Sequence, residues 1–195
     1  MNKYNGAINI ILQVLGEQTI EGDLSIEGIY EAEQADIIIE ATKEEVLAEG
    51  WSFNTDENWA LAIDTEGYIT TPSTALRIDP SSPSANIIVK GGKLYDKTNQ
   101  TYKFTTSVGC DIVWDLDFDE LPLPAQQYIV LKSARIAYQR LVGDLNVVDV
   151  LMKDEQEAKL RLNVYEDDVN DYNIFDDTNI SRIISRTTNP VGVRG

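Results

Sequence analysis

Carboxylates are the main side chains in this chain with the capacity for chemistry. The 195 residues hold 33 acids against 16 bases and no histidine, a formal net charge of −17. Without histidine there is no His-based triad, few ways to build a zinc site, and no access to the commonest general base. Asp115, Asp117 and Asp119 are spaced like the start of a calcium loop. The pattern then fails, with Glu120 where the loop needs glycine and Gln126 where it needs a bidentate acid. A strand end followed by a helix N-terminus, where carboxylates are favoured, explains these residues better. Glu44 with Glu45, or Asp64 with Glu66, has the residue types of a glycosidase pair, and Trp51, Trp59 and Trp114 have those of a sugar platform. Such a mechanism depends on a set separation across a cleft. In a chain this acidic, close pairs arise by chance, and buried β-region tryptophans are the favoured reading. Gly91-Gly92 reads as a hairpin turn rather than a phosphate loop. Cys110 is the single cysteine and lies in an expected strand, so it reads as a small core residue. The residues therefore imply no catalytic set, metal or cofactor.

The elements around these residues run helix, sheet, helix. A first helix is expected from Tyr4 to Leu15, stopped at Gly16. A second is expected from Ile29 to Ala48, with Ala32, Ala35, Ile39, Thr42 and Val46 on one stripe. From Trp51 to Trp114 the pattern moves toward a period of two, with turn signals at Asp64–Gly67, Pro80–Ser84, Gly91-Gly92 and Tyr95–Thr98. Six to eight short strands are expected there, in a small antiparallel sandwich or barrel. Helix resumes near Pro124, runs to Val142 and restarts after Gly143-Asp144.

The restarted helix carries a heptad seam: Val148, Leu151, Glu155, Ala158, Leu162, Tyr165, Val169 and Tyr172. Its span is about 37 Å at 1.5 Å per residue. Other helices must cover that stripe, either from the same chain or from neighbouring subunits, and an intrachain bundle is the favoured reading for most of it. The expected fold class is α+β: an antiparallel helical bundle, residues 1–50 plus 119–175, with an inserted small antiparallel β-sandwich or barrel-like domain, residues 51–118. Residues 176–195 read as a flexible arm that folds on a partner.

Charge is unevenly spread. Residues 1–50 carry 11 acids and 2 bases, and residues 144–177 carry 11 and 3, whereas residues 178–195 carry 3 bases and no acid. This sign opposes grip on nucleic acid; around a channel it would let DNA slide without sticking. Solubility alone is the simpler explanation of the charge. No apolar run approaches the roughly 20 residues of a membrane span. The apolar stretch Ile8–Leu15 is broken by Asn9 and Gln13 and does not read as a signal peptide.

Several segments, in order, resemble the tail tubular protein A family of short-tailed bacteriophages, the adaptor between portal and tail nozzle. They are Leu15-Gly16-Glu17, Gly50-Trp51-Ser52-Phe53-Asn54, Lys93-Leu94-Tyr95-Asp96-Lys97-Thr98 with Phe104, and Phe118-Asp119-Glu120-Leu121-Pro122. Tyr128-Ile129-Val130, Lys132-Ser133-Ala134-Arg135 and Glu155-Gln156-Glu157-Ala158 follow. The loop Pro80–Ser84 and the stretch after Tyr172 depart from the family pattern.

The resemblance implies a virion tail protein, assembled in the host cytoplasm into a twelve-fold homo-oligomeric ring around a DNA channel. The portal protein would sit above it and a nozzle protein like tail tubular protein B below, with tail fibres attaching nearby. DNA would pass without specific binding, and no membrane would be involved. Ile180, Arg182, Ile183, Ile184 and Arg186 would then form the portal-docking arm. Two alternatives stay open: a tail-associated peptidoglycan hydrolase, and another head-tail connector or head-completion protein.

Overall fold

A computed structural model describes residues 3–21, 26–82 and 85–176, with side chains up to residue 169. The fold is α+β. Helices α1 (Lys3–Leu15) and α2 (Tyr30–Leu47) precede five strands: β1 (Thr55–Leu61), β2 (Ala75–Pro80), β3 (Ile87–Lys90), β4 (Lys93–Asp96) and β5 (Val108–Trp114). Helices α3 (Leu123–Leu141) and α4 (Leu145–Asp176) follow, and short 3-10 turns at Ser52–Asn54 and Phe118–Glu120 mark the two crossings between helical and β parts.

The helices share one core. Ile8, Ile11 and Leu12 of α1 meet Ile39, Val46 and Leu47 of α2, Ile129, Ala134 and Ala137 of α3, and Ala158 and Leu162 of α4. α3 packs against all three other helices. These positions recur at helical spacing, so each helix buries one stripe and leaves the other to solvent. Asn9 is buried inside this core. Its side-chain oxygen accepts from the Ile20 N–H at 2.7 Å and its amide donates to the Ile20 carbonyl at 3.0 Å, which ties down the segment leaving α1. Both polar groups are thereby satisfied, as burial requires.

The β part forms a three-stranded antiparallel sheet, order β1-β5-β2, and a separate hairpin, β3-β4. Leu61, Ile69, Leu94, Cys110 and Ile112 make a second, smaller core. Gly91 and Gly92, with φ of +62° and +70°, make the two-residue hairpin turn. β1 is bulged between Asp56 and Trp59. There Asn58 has φ of +52°, and its N–H donates to the Asp111 carboxylate at 2.9 Å.

Three segments expected as strands differ. Tyr68–Thr70 contributes a single bridge, Thr70 to Lys93, and before Tyr102–Phe104 only Thr101 bridges, to Asp96. The Asp64 and Asp96 carboxylates bend the chain there by accepting nearby backbone N–H groups. Ser52–Asn54 is a 3-10 turn rather than extended, for a reason given below.

Candidate functional site

The junction between α2 and β1 is built by one short run, Gly50-Trp51-Ser52-Phe53-Asn54. The Asn54 side chain accepts the Trp51 N–H at 2.8 Å and donates to the carbonyls of Leu47 at 3.0 Å and Trp114 at 2.9 Å. One amide thus closes the 3-10 turn, satisfies the end of α2 and holds the end of β5. The buried Trp51 ring donates its indole N–H to the Val46 carbonyl at 2.7 Å and stacks on Phe53 with centroids 6.3 Å apart. Gly50 has φ of +81°, and a Cβ there would lie 2.8 Å from the Arg77 guanidinium and 3.2 Å from Val113. Glycine takes that φ without strain, and a side chain there would have to displace the tip of Arg77 and press on Val113.

Helix α4 reaches this junction from the far end of the chain. The Glu166 carboxylate accepts the Ser52 N–H at 2.7 Å and the Ser52 hydroxyl at 2.9 Å. Between α2, α3 and α4, the Tyr128 ring lies 5.6 Å from both Lys132 Nζ and Lys159 Nζ. Those ammoniums pair with Glu45 at 3.0 Å and Glu49 at 3.6 Å. Burial pulls the Lys132 pKa down, but Glu45, Tyr128 and Glu155 together turn the net direction upward. At the second crossing, buried Gln126 donates its amide to the carbonyls of Phe118 and Leu121, both at 2.9 Å.

The heptad seam lies mostly within the chain. Val148, Leu151, Ala158 and Leu162 are buried, and α4 packs along α3. Glu155, the polar seam position, forms an ion pair with Arg135 of α3, which also donates to Gln139 at 3.1 Å. Tyr165 packs partly against the same core, and Val169 is half-buried. The side chain of Tyr172, and the arm residues Ile180, Arg182, Ile183, Ile184 and Arg186, lie outside the described residues.

The acids singled out for chemistry have structural partners or face solvent. Asp115 pairs with the buried Lys43 ammonium at 3.4 Å, and Glu40 holds the same group at 3.0 Å. Burial opposes the charge on Lys43, yet these two carboxylates raise its pKa. Glu45 is held by Lys132, while Glu44 and Glu66 are exposed. Asp64 closes a turn by accepting the N–H groups of Tyr68 and Glu66. Among the described residues, no three metal-ligating side chains converge. Cys110 is buried, and burial pushes its thiol pKa up. Trp59 departs from the expected interior position: half of it is exposed, packed edge-on against Trp114 at 6.0 Å. Trp59 pairs with Cys110 and so shares the face of the small core, but β1 is an edge strand and leaves half of the side chain uncovered.

Surfaces left uncovered were less legible. The outward face of α4 shows Val150, Leu160 and Val164; α2 shows Tyr30 and Ile37; α3 shows Leu123. A groove of about 720 Å³ runs between α1, α3 and α4, lined by Ile10, Phe118, Leu123, Val130 and Leu131, with Lys3 and Arg161 on it. The hairpin concentrates bases instead: Lys93 Nζ lies 4.1 Å from the Tyr68 ring, Lys90 Nζ 5.2 Å from Tyr95, and Tyr95 packs on Tyr102 at 4.7 Å. On α2 the signal is the run Tyr30, Gln34, Ile37 and Ala41 at steps of four and three, set among Glu31, Glu33 and Glu40.

Helices with a completed core and apolar side chains still facing outward characterise a structural component whose outer faces suit contact with other molecules. The chain belongs to the tail tubular protein family, whose sequence profile matches residues 6–172. It is similar to the tail tubular protein A of Klebsiella phage KP34, at 28% identity over 151 residues, covering 77% of this chain and 80% of the relative. It is a structural protein of the phage virion tail. Among the described residues no helix is long and apolar enough to cross a membrane.

Proposed function

We propose that this protein is the adaptor ring of the tail, joining the portal to the nozzle around the channel through which DNA leaves. The helical part, residues 1–50 with 119–175, builds a ring of twelve copies, the number the family resemblance implies. The inserted β region, residues 51–118, offers its loops to the nozzle and fibres, and residues 176–195 dock on the portal through Ile180, Arg182, Ile183, Ile184 and Arg186. Acidic helices facing the channel keep DNA mobile by repulsion. The protein works without breaking bonds.

One observation carries this reading: exposed large apolar residues on the outer faces of α2, α3 and α4, beside a core that the chain completes alone. Leu160 and Val164 of α4 neighbour one another at i, i+4 spacing, and clustered exposed apolar side chains mark interaction sites. The test is the mass of the purified protein with and without the candidate portal. A portal-dependent complex containing many copies supports the adaptor reading; a monomer indifferent to portal and nozzle overturns it.

A further inference from the structure

We infer that the α1–α3–α4 groove of one copy receives the outer ridge of α2 from the next copy. This rests on the ring reading above and assigns the surfaces that would build it. The groove is apolar at its centre, with Ile10 43% and Leu123 64% exposed. Its charged lining residues are Lys3 and Arg161, both cationic, with no acid among the lining residues. Arg161 reaches Glu157 at only 3.9 Å in an exposed pair and Lys3 Nζ donates to the Asp119 carbonyl at 3.3 Å, so the lining itself is cationic while acids stand just outside it.

The ridge is the face of α2 turned away from Ala32, Ala35, Ile39 and Val46. Tyr30, Gln34, Ile37, Ala41 and Glu44 follow one another at steps of four and three residues, the spacing of a continuous helical stripe. Tyr30 is 60% and Ile37 59% exposed, and Glu31 and Glu33 lie in the first turn beside them. Tyr30 and Ile37 stand about 10 Å apart along the axis at 1.5 Å per residue. They offer two apolar anchors, flanked by carboxylates, to an apolar groove flanked by cations. A large aromatic anchor in a concave site, with charge pairs at its rim, is the usual energetic centre of an interface.

The chain's own terminal segment fits less well. Residues 178–195 hold three arginines and no acid, so they would bring positive charge to a positive rim. Groove and ridge share no helix: the groove uses α1, α3 and α4, and the ridge uses α2. A contact between two different patches is heterologous, and repeated heterologous contacts close into a ring when the rotation permits.

The experiment places a photo-crosslinking amino acid at position 123 of the full chain, assembled into tails from a mixture of isotope-labelled and unlabelled copies. Mass spectrometry of the captured peptide is expected to show residues around Tyr30 and Ile37 joined across differently labelled copies. Capture of residues 178–195, of another virion protein or of the same copy overturns the pairing, as does no capture from tails that contain the chain. Separately, Ile37→Asp is expected to lower incorporation into multi-copy complexes about tenfold, the effect of losing about 1.4 kcal/mol, with thermal unfolding of the free chain unchanged. Undiminished incorporation overturns the pairing. A native mass showing one copy per tail refutes the ring itself; many copies without the crosslink refute only this arrangement.

Discussion

Glu166 grips Ser52 through both carboxylate oxygens, at 2.7 Å to the backbone N–H and 2.9 Å to the hydroxyl, across 114 residues of sequence. This contact fastens the long fourth helix to the turn where the β part begins. A carboxylate accepting two hydrogen bonds is stronger than a neutral pair. Glu166→Ala removes both and leaves the part-buried Ser52 N–H without this acceptor. The expected loss is about 1.5–3 kcal/mol, read from the midpoint shift in urea. Ser52→Ala removes one of the two bonds and should cost less.

Two leucines separated by two positions on α4 should behave oppositely. Leu162 is fully buried and Leu160 is 63% exposed. Leu162→Ala is expected to cost about 2–5 kcal/mol of stability. Leu160→Ala should remain within about 0.5 kcal/mol. Equal destabilisation in parallel denaturant melts would contradict the placement of the seam against α3.

Gly50→Ala tests the junction. The new Cβ enters at a φ of +81° and meets the Arg77 guanidinium at 2.8 Å. Left-handed backbone alone costs a non-glycine residue about 1–2 kcal/mol, and Arg77 must also move from the Ala48 carbonyl it donates to at 3.1 Å. Pairing Gly50→Ala with Arg77→Ala should recover part of the loss. A fall in melting temperature for the single variant, smaller for the double, is the expected pattern.

Acid should loosen the β part. Asp96 is held below the ordinary carboxylate range, chiefly by the Asn99 N–H and side chain, and Asp64 chiefly by the Tyr68 N–H. Asp111 is lowered by the Ser81 hydroxyl and the Asn58 N–H. Their folded pKa values lie below their unfolded ones. Their stabilisation is therefore fully present above about pH 3.9, the unfolded aspartate value, and is lost as pH falls through the depressed values. Asp96→Asn should flatten stability against pH in that acid window. An unchanged slope would remove Asp96 from this role.

The carboxylates of the β region, Glu57 and Glu66 among them, give a further test. Zymography against purified peptidoglycan is expected to show no clearing by the wild-type chain. Clearing that disappears in Glu66→Gln or Glu57→Gln would establish the hydrolase alternative.

Much of the helical part was legible in residue order. Gly16, Gly50 and Gly143 punctuate the helices where expected, and the apolar stripes of α1 and α2 are the buried ones. The β region was less legible, because short strands and carboxylate-closed turns share the same residue types. Tyr68–Thr70 and Tyr102–Phe104 have strand composition, yet local acceptors from Asp64 and Asp96 hold the chain in turns beside them. Trp59 reads as interior and does lie on the core face opposite Cys110, but on edge strand β1 nothing covers its outer half.

Sequence by itself determined that this chain makes helices around a β insertion, that one long helix carries an apolar seam, and that its acids form no recognisable catalytic pattern. Periodicity and glycine placement encode those properties locally, through backbone geometry and the faces of a helix. Tertiary structure alone decided that α3 covers the seam, that Glu166 meets Ser52, and that the outer ridge of α2 and the groove beside Leu123 remain open. A stripe specifies that something apolar must cover it; which surface does so depends on how all the helices compete for one another in three dimensions.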